Sequence, residues 1–455
     1  MSIFRAYDIR GVVGESLTPA VITQVGQAIG SEAAAQNQDK IVVARDGRLS
    51  GMELMEALIK GLQMAGREVI DIGMMPTPVL YFATYYLKTG SGVMLTGSHN
   101  PSNYNGLKIM LDGKALSGDT IQALKTRIDT GKLIKNENGT RHTTDIHHAY
   151  ISHIHKEVKL ARPFKVIVDC GNGVASVVAP HLMHTLGCEV VKLFCEVDGH
   201  FPNHHPDPSI PENLEDLIKA VQAENADLGL AFDGDGDRLG VVDATGRIIW
   251  PDRQLILYAT DLLTRHPGTE IIYDVKCTRH LANAIEQQGG KPLMWKTGHS
   301  LIKSKMKETG ALLAGEMSGH IFFKERWYGF DDALYTAARL LEILSLDSRT
   351  PETIFATLPD AVNTPELKLE LEHFGEHYEL MQKIRDTFHF EEATVTTIDG
   401  VRADFREGWG LVRASNTTPC LVIRFEADTQ AALSSIQEKF RQQFLAIDNT
   451  LKLPF

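Results

Sequence analysis

KVIVDCGNG, residues 165–173, is a β-branched run that stops at an aspartate and then turns through glycines; KIVVARDGR (40–48) and EIIYDVKC (270–277) repeat that grammar. Each run closes on an acid, Asp46, Asp169 or Asp274. Each is followed by a stretch of helical periodicity that ends at a glycine, Gly66, Gly187 or Gly290, and then by a second apolar run, REVIDIG (67–73), CEVVKLF (188–194) or KPLMW (291–295). Glycine suits the left-handed position after a helix, and strand–helix–strand units bring their strands parallel with helices on the faces. The spacing predicts one α/β unit used three times in tandem.

The last hundred residues read differently. ELKLELE (366–372), ATVTTIDGVRADF (393–405), WGLVRAS (409–415) and CLVIRFEA (420–427) are strand-like runs separated by turn formers, and TQAALSSIQEKFRQQFLAI (429–447) is helical. This predicts an α+β module. The expected units are therefore 1–145, 146–247, 248–360 and 361–455, the last preceded by the turn-rich TLPDAVNTP (357–365).

A chain of 455 residues is long enough for three or four such domains. With 46 Lys plus Arg against 58 Asp plus Glu, it has a formal net charge of -12, which argues against a general nucleic-acid or anionic-membrane binder. A small anion still needs only a few cations converging in one cleft. The five cysteines, Cys170, Cys188, Cys195, Cys277 and Cys420, are scattered, so neither a disulfide framework nor a zinc knuckle is expected. Charges within the first ten residues and the lack of a long apolar run predict a soluble, unprocessed, cytoplasmic protein.

Four stretches carry chemistry. VMLTGSHNPSNYNGLKIM (93–110) delivers Ser98 from an apolar strand into a loop of turn formers, which places its hydroxyl at a sheet edge. LGLAFDGDGDRLGVV (228–242) sets Asp233, Asp235 and Asp237 on glycine-permissive backbone after a strand, a spacing that wraps oxygen ligands around one hard cation, Mg²⁺ by default. An EF-hand does not fit, because Arg238 follows the third aspartate and Ala244 stands where the twelfth-position Glu belongs. Extended backbone in LLAGEMSGHIFF (312–323) would point Glu316, Ser318 and His320 the same way, toward sugar hydroxyls. VRASNTTP (412–419) offers Arg413, hydroxyls and loop amides as a phosphate cradle.

FRAYDIRG (4–11), TGSHNPSNYNGLKI (96–109), DGDGDR (233–238), KTGH (296–299), GEMSGH (315–320) and RASNTTP (413–419) together resemble the α-D-phosphohexomutase family, and within it the bacterial phosphomannomutase/phosphoglucomutase group. The six motifs fall in the family's order along essentially the whole chain. The resemblance implies three tandem related α/β domains with mixed sheets plus a C-terminal α+β, TATA-binding-protein-like domain, around a central cleft. It implies an isomerase that moves phosphate between O1 and O6 of mannose and glucose phosphates through a hexose 1,6-bisphosphate. Ser98 would be the phosphoserine donor. Asp233, Asp235 and Asp237, with a phosphoserine oxygen of Ser98, would hold one Mg²⁺.

By the same resemblance Glu316 and Ser318 would bind sugar hydroxyls, and Arg413, Ser415, Asn416 and Thr417 the phosphate that is not reacting. Tyr7, Arg10, Lys108, Arg238, Lys276, Thr297, Gly298, His299 and His320 match cleft positions that bind phosphate, orient the sugar or assist proton transfer. Lys108 and His320 are both candidates for the proton at the sugar hydroxyl, and Lys108 would need a depressed pKa for that work. Expected partners are hexose phosphates, with no nucleic acid and no membrane, for a monomer or weak oligomer. A phosphoglucosamine mutase and a metal-dependent sugar phosphatase are the alternatives, and Met317 within GEMSGH favours the phosphomannomutase group over the first.

Overall fold

The computed structural model describes every residue except Met1, Ser2, Ala6, Glu137, Phe374, Asn416 and Thr417. The three acid-terminated runs are strands, Lys40–Arg45, Lys165–Asp169 and Glu270–Asp274, and each pairs in parallel with the apolar run that follows its helix. Those helices are Gly51–Met64, Ala179–Thr185 and Arg279–Gln287. Gly66 and Gly187 take the expected left-handed backbone (φ 76° and 96°), but in the third unit Gly289 (φ 75°), not Gly290, does so. The helix there is capped at Gln288, so the left-handed residue comes one position sooner.

Each repeat holds two further strands. A helical crossover leads to a third strand, Gly92–Leu95, Leu228–Phe232 or Leu313–Gly315, which lies parallel on the other side of the first. A short loop then returns the chain as an antiparallel fourth strand, Tyr104–Leu111, Leu239–Asp243 or Ile321–Phe323. Crossovers make parallel neighbours and tight loops make antiparallel ones, so the order second–first–third–fourth recurs in all three sheets. The first strands are buried on both faces, as parallel strands under helices must be: Ile41, Val42 and Val43, like Val166, Ile167 and Val168, are inaccessible. Each such side chain stabilises the fold by about 1.5–3 kcal/mol.

Ile9–Val12 and Thr140–Thr143 extend the edges of the first sheet, and Ile248–Ile249 extends the second two residues past position 247. One apolar cluster links all three repeats, running from Val42 through Phe232 to Leu358.

The last unit is an antiparallel sheet in which Cys420–Ala427 pairs with Gly408–Ala414, Val362–Asn363 and Leu367–Glu370. Helices Glu376–Thr387 and Gln430–Ile447 pack on it over a separate core that includes Phe440 and Phe444. It meets the third repeat through a small apolar cluster of Val275, Trp409 and Leu411 and through polar groups: Arg402 Nη1 donates to the carbonyls of Val275 (2.7 Å) and Cys277 (2.8 Å), and Thr278 Oγ1 to Glu426 (2.7 Å). Among the described residues no helix is long and apolar enough to cross a membrane.

Candidate active site

The loops between third and fourth strands hold Ser98, the three aspartates and Glu316–His320, because each leaves the carboxyl end of a parallel strand on the same side of its sheet. In the first repeat, Asp46 accepts from Thr96 Oγ1 (2.8 Å) and Gly97 N (3.0 Å). Ser98 N then donates to Thr96 Oγ1 (2.8 Å), and Ser98 itself sits at φ 50°, a left-handed conformation that a non-glycine residue adopts only when its surroundings impose it. Arg48 imposes it. Its buried guanidinium pairs with Asp46 (3.2 Å) and donates to the carbonyls of Ser98 (2.9 Å), Asn100 (2.6 Å), Pro101 (2.5 Å) and Tyr104 (2.9 Å). A Cβ on Gly97 would run into that guanidinium.

The Ser98 hydroxyl thereby reaches Asp233 Oδ2 at 3.3 Å and His99 Nδ1 at 3.1 Å. The aspartate loop meets the serine loop backbone to backbone, since any Cβ on Gly234 would clash with the Ser98 carbonyl. Asp233 Oδ1 closes its own turn by accepting from the amides of Gly236 (3.0 Å), Asp237 (3.0 Å) and Arg238 (3.1 Å).

Asp233, Asp235 and Asp237 are fully buried, and each offers an oxygen within 4.8 Å of the others. Burial and mutual repulsion push Asp233 well above the usual carboxylate range and raise Asp237. Burial also opposes the charge on Asp235, but Lys108 outweighs it and holds that carboxyl low. Lys108 Nζ lies 2.7 Å from Asp235 Oδ2 and 2.5 Å from Asp237 Oδ2. Its pKa is therefore raised well above the ordinary value, the two carboxylates overcoming burial, and the depressed lysine expected for proton transfer is not what this arrangement holds.

These residues fit a hard divalent cation. The donor set is all oxygen, and among the described residues the buried Oδ1 atoms of Asp235 and Asp237 accept no hydrogen bond.

Residues 316–320 differ from expectation in shape. They form a tight turn rather than extended backbone: Glu316 N donates to His320 O (2.8 Å) around Gly319 at φ 105°. The turn still gathers its functional groups. Glu316 Oε1 accepts from Gly298 N (2.5 Å), and burial raises its pKa. His320 Nε2 accepts from Arg238 Nε (3.0 Å), while its Nδ1 lies 3.1 Å from Asp331 Oδ2. Ser318 is half-buried in the turn.

His299 stacks on His320 (5.6 Å between centroids) and is held well below its ordinary pKa by burial and then by Lys303. Lys303 donates to Asp331 Oδ1 (2.8 Å) and contacts His299 Nδ1 (3.2 Å).

The remaining candidates bridge to the fourth unit. Tyr7 Oη donates to the Thr297 carbonyl (3.0 Å), Thr297 N donates to Asp399 Oδ2 (3.0 Å), and Arg413 Nε donates to the same oxygen (3.1 Å). Gly298, at φ 133°, packs so closely on the Tyr7 ring that a side chain there would overlap it. Lys276 Nζ donates to Glu366 Oε1 (2.6 Å). Ser415 Oγ contacts Thr418 Oγ1 (2.9 Å), whereas Asn416 and Thr417 lie outside the described residues. Arg10, on Ile9–Val12 opposite Gly106, pairs with Asp8.

Sequence reasoning missed Arg48, Thr77 (Oγ1 to Asp235 Oδ2, 2.5 Å), Asp331, Lys303, Asp399 and Glu366. Arg48 stood inside a quoted run, two residues after its aspartate. Glu366 and Asp399 also lay in quoted runs, read only as strand and turn, and Thr77, Asp331 and Lys303 had no local motif to mark them.

Phosphoglucomutase/phosphomannomutase α/β/α domains I, II and III match residues 1–135, 148–246 and 250–362, and the C-terminal domain of the same family matches 366–443. A phosphomannomutase/phosphoglucomutase of Pseudomonas aeruginosa is 57% identical over 454 residues, covering 100% of this chain and 98% of that protein. A phosphoglucomutase of Neisseria gonorrhoeae is 54% identical over 441 residues, 96% of each chain. A solved structure of a phosphoglucomutase/phosphomannomutase family protein from Burkholderia thailandensis superposes with a TM-score of 0.95 at 52% identity, covering 100% of this chain and 99% of that one. With four ordered domain matches, full-length relatives and the same four-unit fold, the chain belongs to the phosphoglucomutase/phosphomannomutase family.

Proposed function

We propose that this protein interconverts the 1- and 6-phosphates of mannose and of glucose, with Ser98 as the phosphoryl carrier. The observation that carries the reading is the junction of the first two loops, where the Ser98 hydroxyl stands 3.3 Å from Asp233, one of three buried carboxylates gathered there. Asp233, Asp235 and Asp237, with an oxygen of the Ser98 phosphoryl group, would hold Mg²⁺, which when bound supplies Lewis-acid stabilisation of the departing serine oxygen.

A hydroxyl of the bound hexose phosphate attacks the phosphorus on Ser98, the bond to Oγ breaks, and a hexose 1,6-bisphosphate results. The bisphosphate turns end for end, and its other phosphate returns to Ser98. Arg238, fixed against His320, is placed to disperse charge on the transferring group. The attacking hydroxyl must lose a proton, and of the two candidates beside the aspartates His320 is the one that can take it, whereas Lys108, kept charged by Asp235 and Asp237, serves as a cation toward phosphate.

Glu316 and Ser318 face the sugar hydroxyls, with Tyr7, Arg10, Lys276, Thr297, Gly298 and His299 lining the same cleft. Arg413, Ser415, Asn416 and Thr417 receive the distal phosphate, their guanidinium, hydroxyl and amide donors serving both substrate orientations. The division into units near 145, 247 and 360 belongs to the same proposal, as do a cytoplasmic location and a monomer or weak oligomer.

The test is incubation with mannose 1-phosphate, Mg²⁺ and a trace of hexose 1,6-bisphosphate, followed by ³¹P NMR. Mannose 6-phosphate should form without loss of phosphate ester. Release of inorganic phosphate would instead identify a phosphatase, and faster turnover of glucosamine 6-phosphate a phosphoglucosamine mutase.

A further inference from the structure

The second repeat contains a pair of thiols that the mutase chemistry does not use. Cys170 follows the first strand of that repeat and is fully buried; Cys195 follows the second strand and is half-buried. Because the two strands are parallel neighbours, both sulfurs emerge at the same sheet end, and their Sγ atoms lie 3.5 Å apart. The other cysteines are placed differently: Cys188, Cys277 and Cys420 are buried, Cys277 donates to Asp274 Oδ1 (3.1 Å), and Cys420 contacts Thr418 Oγ1 (3.2 Å). A disulfide needs its sulfurs about 2.05 Å apart, so closing this pair takes a shift of roughly 1.5 Å shared between two chain segments.

We propose that Cys170 and Cys195 form an oxidisable dithiol, a modification site whose co-substrate is a peroxide. Cys195 is the attacking group, since it is the accessible one, and its hydrogen bond with Cys170 holds its thiol below the usual range while burial holds Cys170 well above it. The Cys195 thiolate attacks one peroxide oxygen, the O–O bond breaks, and Cys195 becomes a sulfenic acid as hydroxide leaves and takes up a proton. Cys170 sulfur then attacks the sulfenic sulfur, its proton goes to the second departing hydroxide, and the S–S bond forms. Two thiols and one hydrogen peroxide yield one disulfide and two waters, and a dithiol reductant reverses the change.

Closure has a route to the metal loop. Cys170 begins the turn Gly171–Asn172–Gly173, in which Gly171 (φ 49°) and Asn172 (φ 61°) are both left-handed and Gly173 N donates to Cys170 O (2.7 Å). Val174 N donates to the carbonyl of Gly234 (3.1 Å), and a Cβ on Gly173 would sit 3.0 Å from Gly234 Cα. A shift of Cys170 is thus passed to the backbone between Asp233 and Asp235.

The test treats the Mg²⁺-loaded full-length protein with a few equivalents of hydrogen peroxide, blocks free thiols, and maps peptides without reduction. A peptide linking Cys170 to Cys195 is expected in protein that keeps its native circular dichroism. Turnover should fall at least fivefold, recover with dithiothreitol, and resist peroxide in both Cys195→Ser and Cys170→Ala. Absence of the linked peptide, or its appearance only in unfolded protein, overturns the site. A linked peptide with unchanged turnover overturns the coupling to the aspartate loop. The peptide map reads the thiols directly, so it stands whether or not the chain proves to be a mutase.

Discussion

The turn that carries Ser98 and the turn that carries Glu316 occupy the same place in two repeats, between a parallel third strand and its antiparallel return. Both hang from the aspartate that ends the first strand. Asp46 accepts from Thr96 and Gly97; Asp274 accepts from Met317 N (3.2 Å) and from Thr297 Oγ1 (2.9 Å). Two residues beyond each aspartate comes a cation, and there the repeats part. Arg48 turns inward and spends its guanidinium on four carbonyls of its own loop, whereas Lys276 turns outward to Glu366 of the fourth unit. The shared backbone sets where a functional loop stands. The cation decides whether that loop is locked in place or linked to a neighbour, which suits a fixed phosphoryl carrier in one repeat and a wall of the substrate cleft in the other.

Breaking the comparison at its chemical end should have the largest effect. Ser98→Ala is expected to lower turnover by at least about 1,000-fold while hexose phosphate binding, measured by calorimetry, persists. Next comes the lock. Arg48→Ala leaves Asp46 buried without its charge partner and takes a donor from each of four carbonyls, of which Pro101 O keeps Tyr104 N, so unfolding by urea should show a loss of about 3–5 kcal/mol. Arg48→Lys, which keeps the charge but not the fork, should fall between the two. The link behaves otherwise: with Lys276 lining the substrate cleft as proposed, Lys276→Met should raise KM about tenfold with kcat nearly unchanged. Equal stability losses for Arg48→Ala and Lys276→Met would erase the distinction between lock and link.

Acid offers the mildest probe. Burial opposes the charge on Glu366, but Lys276 outweighs it and brings its pKa down to about 2. Its folded value lies below its unfolded one, so the contribution is full above the ordinary Glu range near 4.5 and is lost as pH falls through about 2. Urea unfolding of Glu366→Gln between pH 5 and 2.5 should be less pH-dependent than that of the parent, by a small margin because the glutamate side chain is 40% exposed.

Much of this architecture was legible because it is local. An apolar run ending in Asp, a helix ending in Gly and a second apolar run specify three parallel pairs without knowledge of what packs on them. The Ser98 and Asp233–Asp237 loops were legible for the same reason, as short polar stretches after strands. The turn at 316–320 was misread as extended, although Ser318 and Gly319 are turn formers and one hydrogen bond from Glu316 to His320 closes it. Arg48, Asp331 and Asp399 escaped notice because their partners are remote: Arg48 serves residues 98–104, Asp331 faces His299, Lys303 and His320, and Asp399 joins Thr297 to Arg413. The state of Lys108 could not be read locally either, since its charge is set by carboxylates more than a hundred residues away.

The central claim is that Ser98 carries the phosphoryl group. Intact-mass analysis after incubation with a hexose 1,6-bisphosphate and Mg²⁺ should show one added phosphoryl group, mapped by peptide fragmentation to Ser98 and absent in Ser98→Ala. No added mass, or a phosphoryl group on another residue with turnover intact, would contradict it.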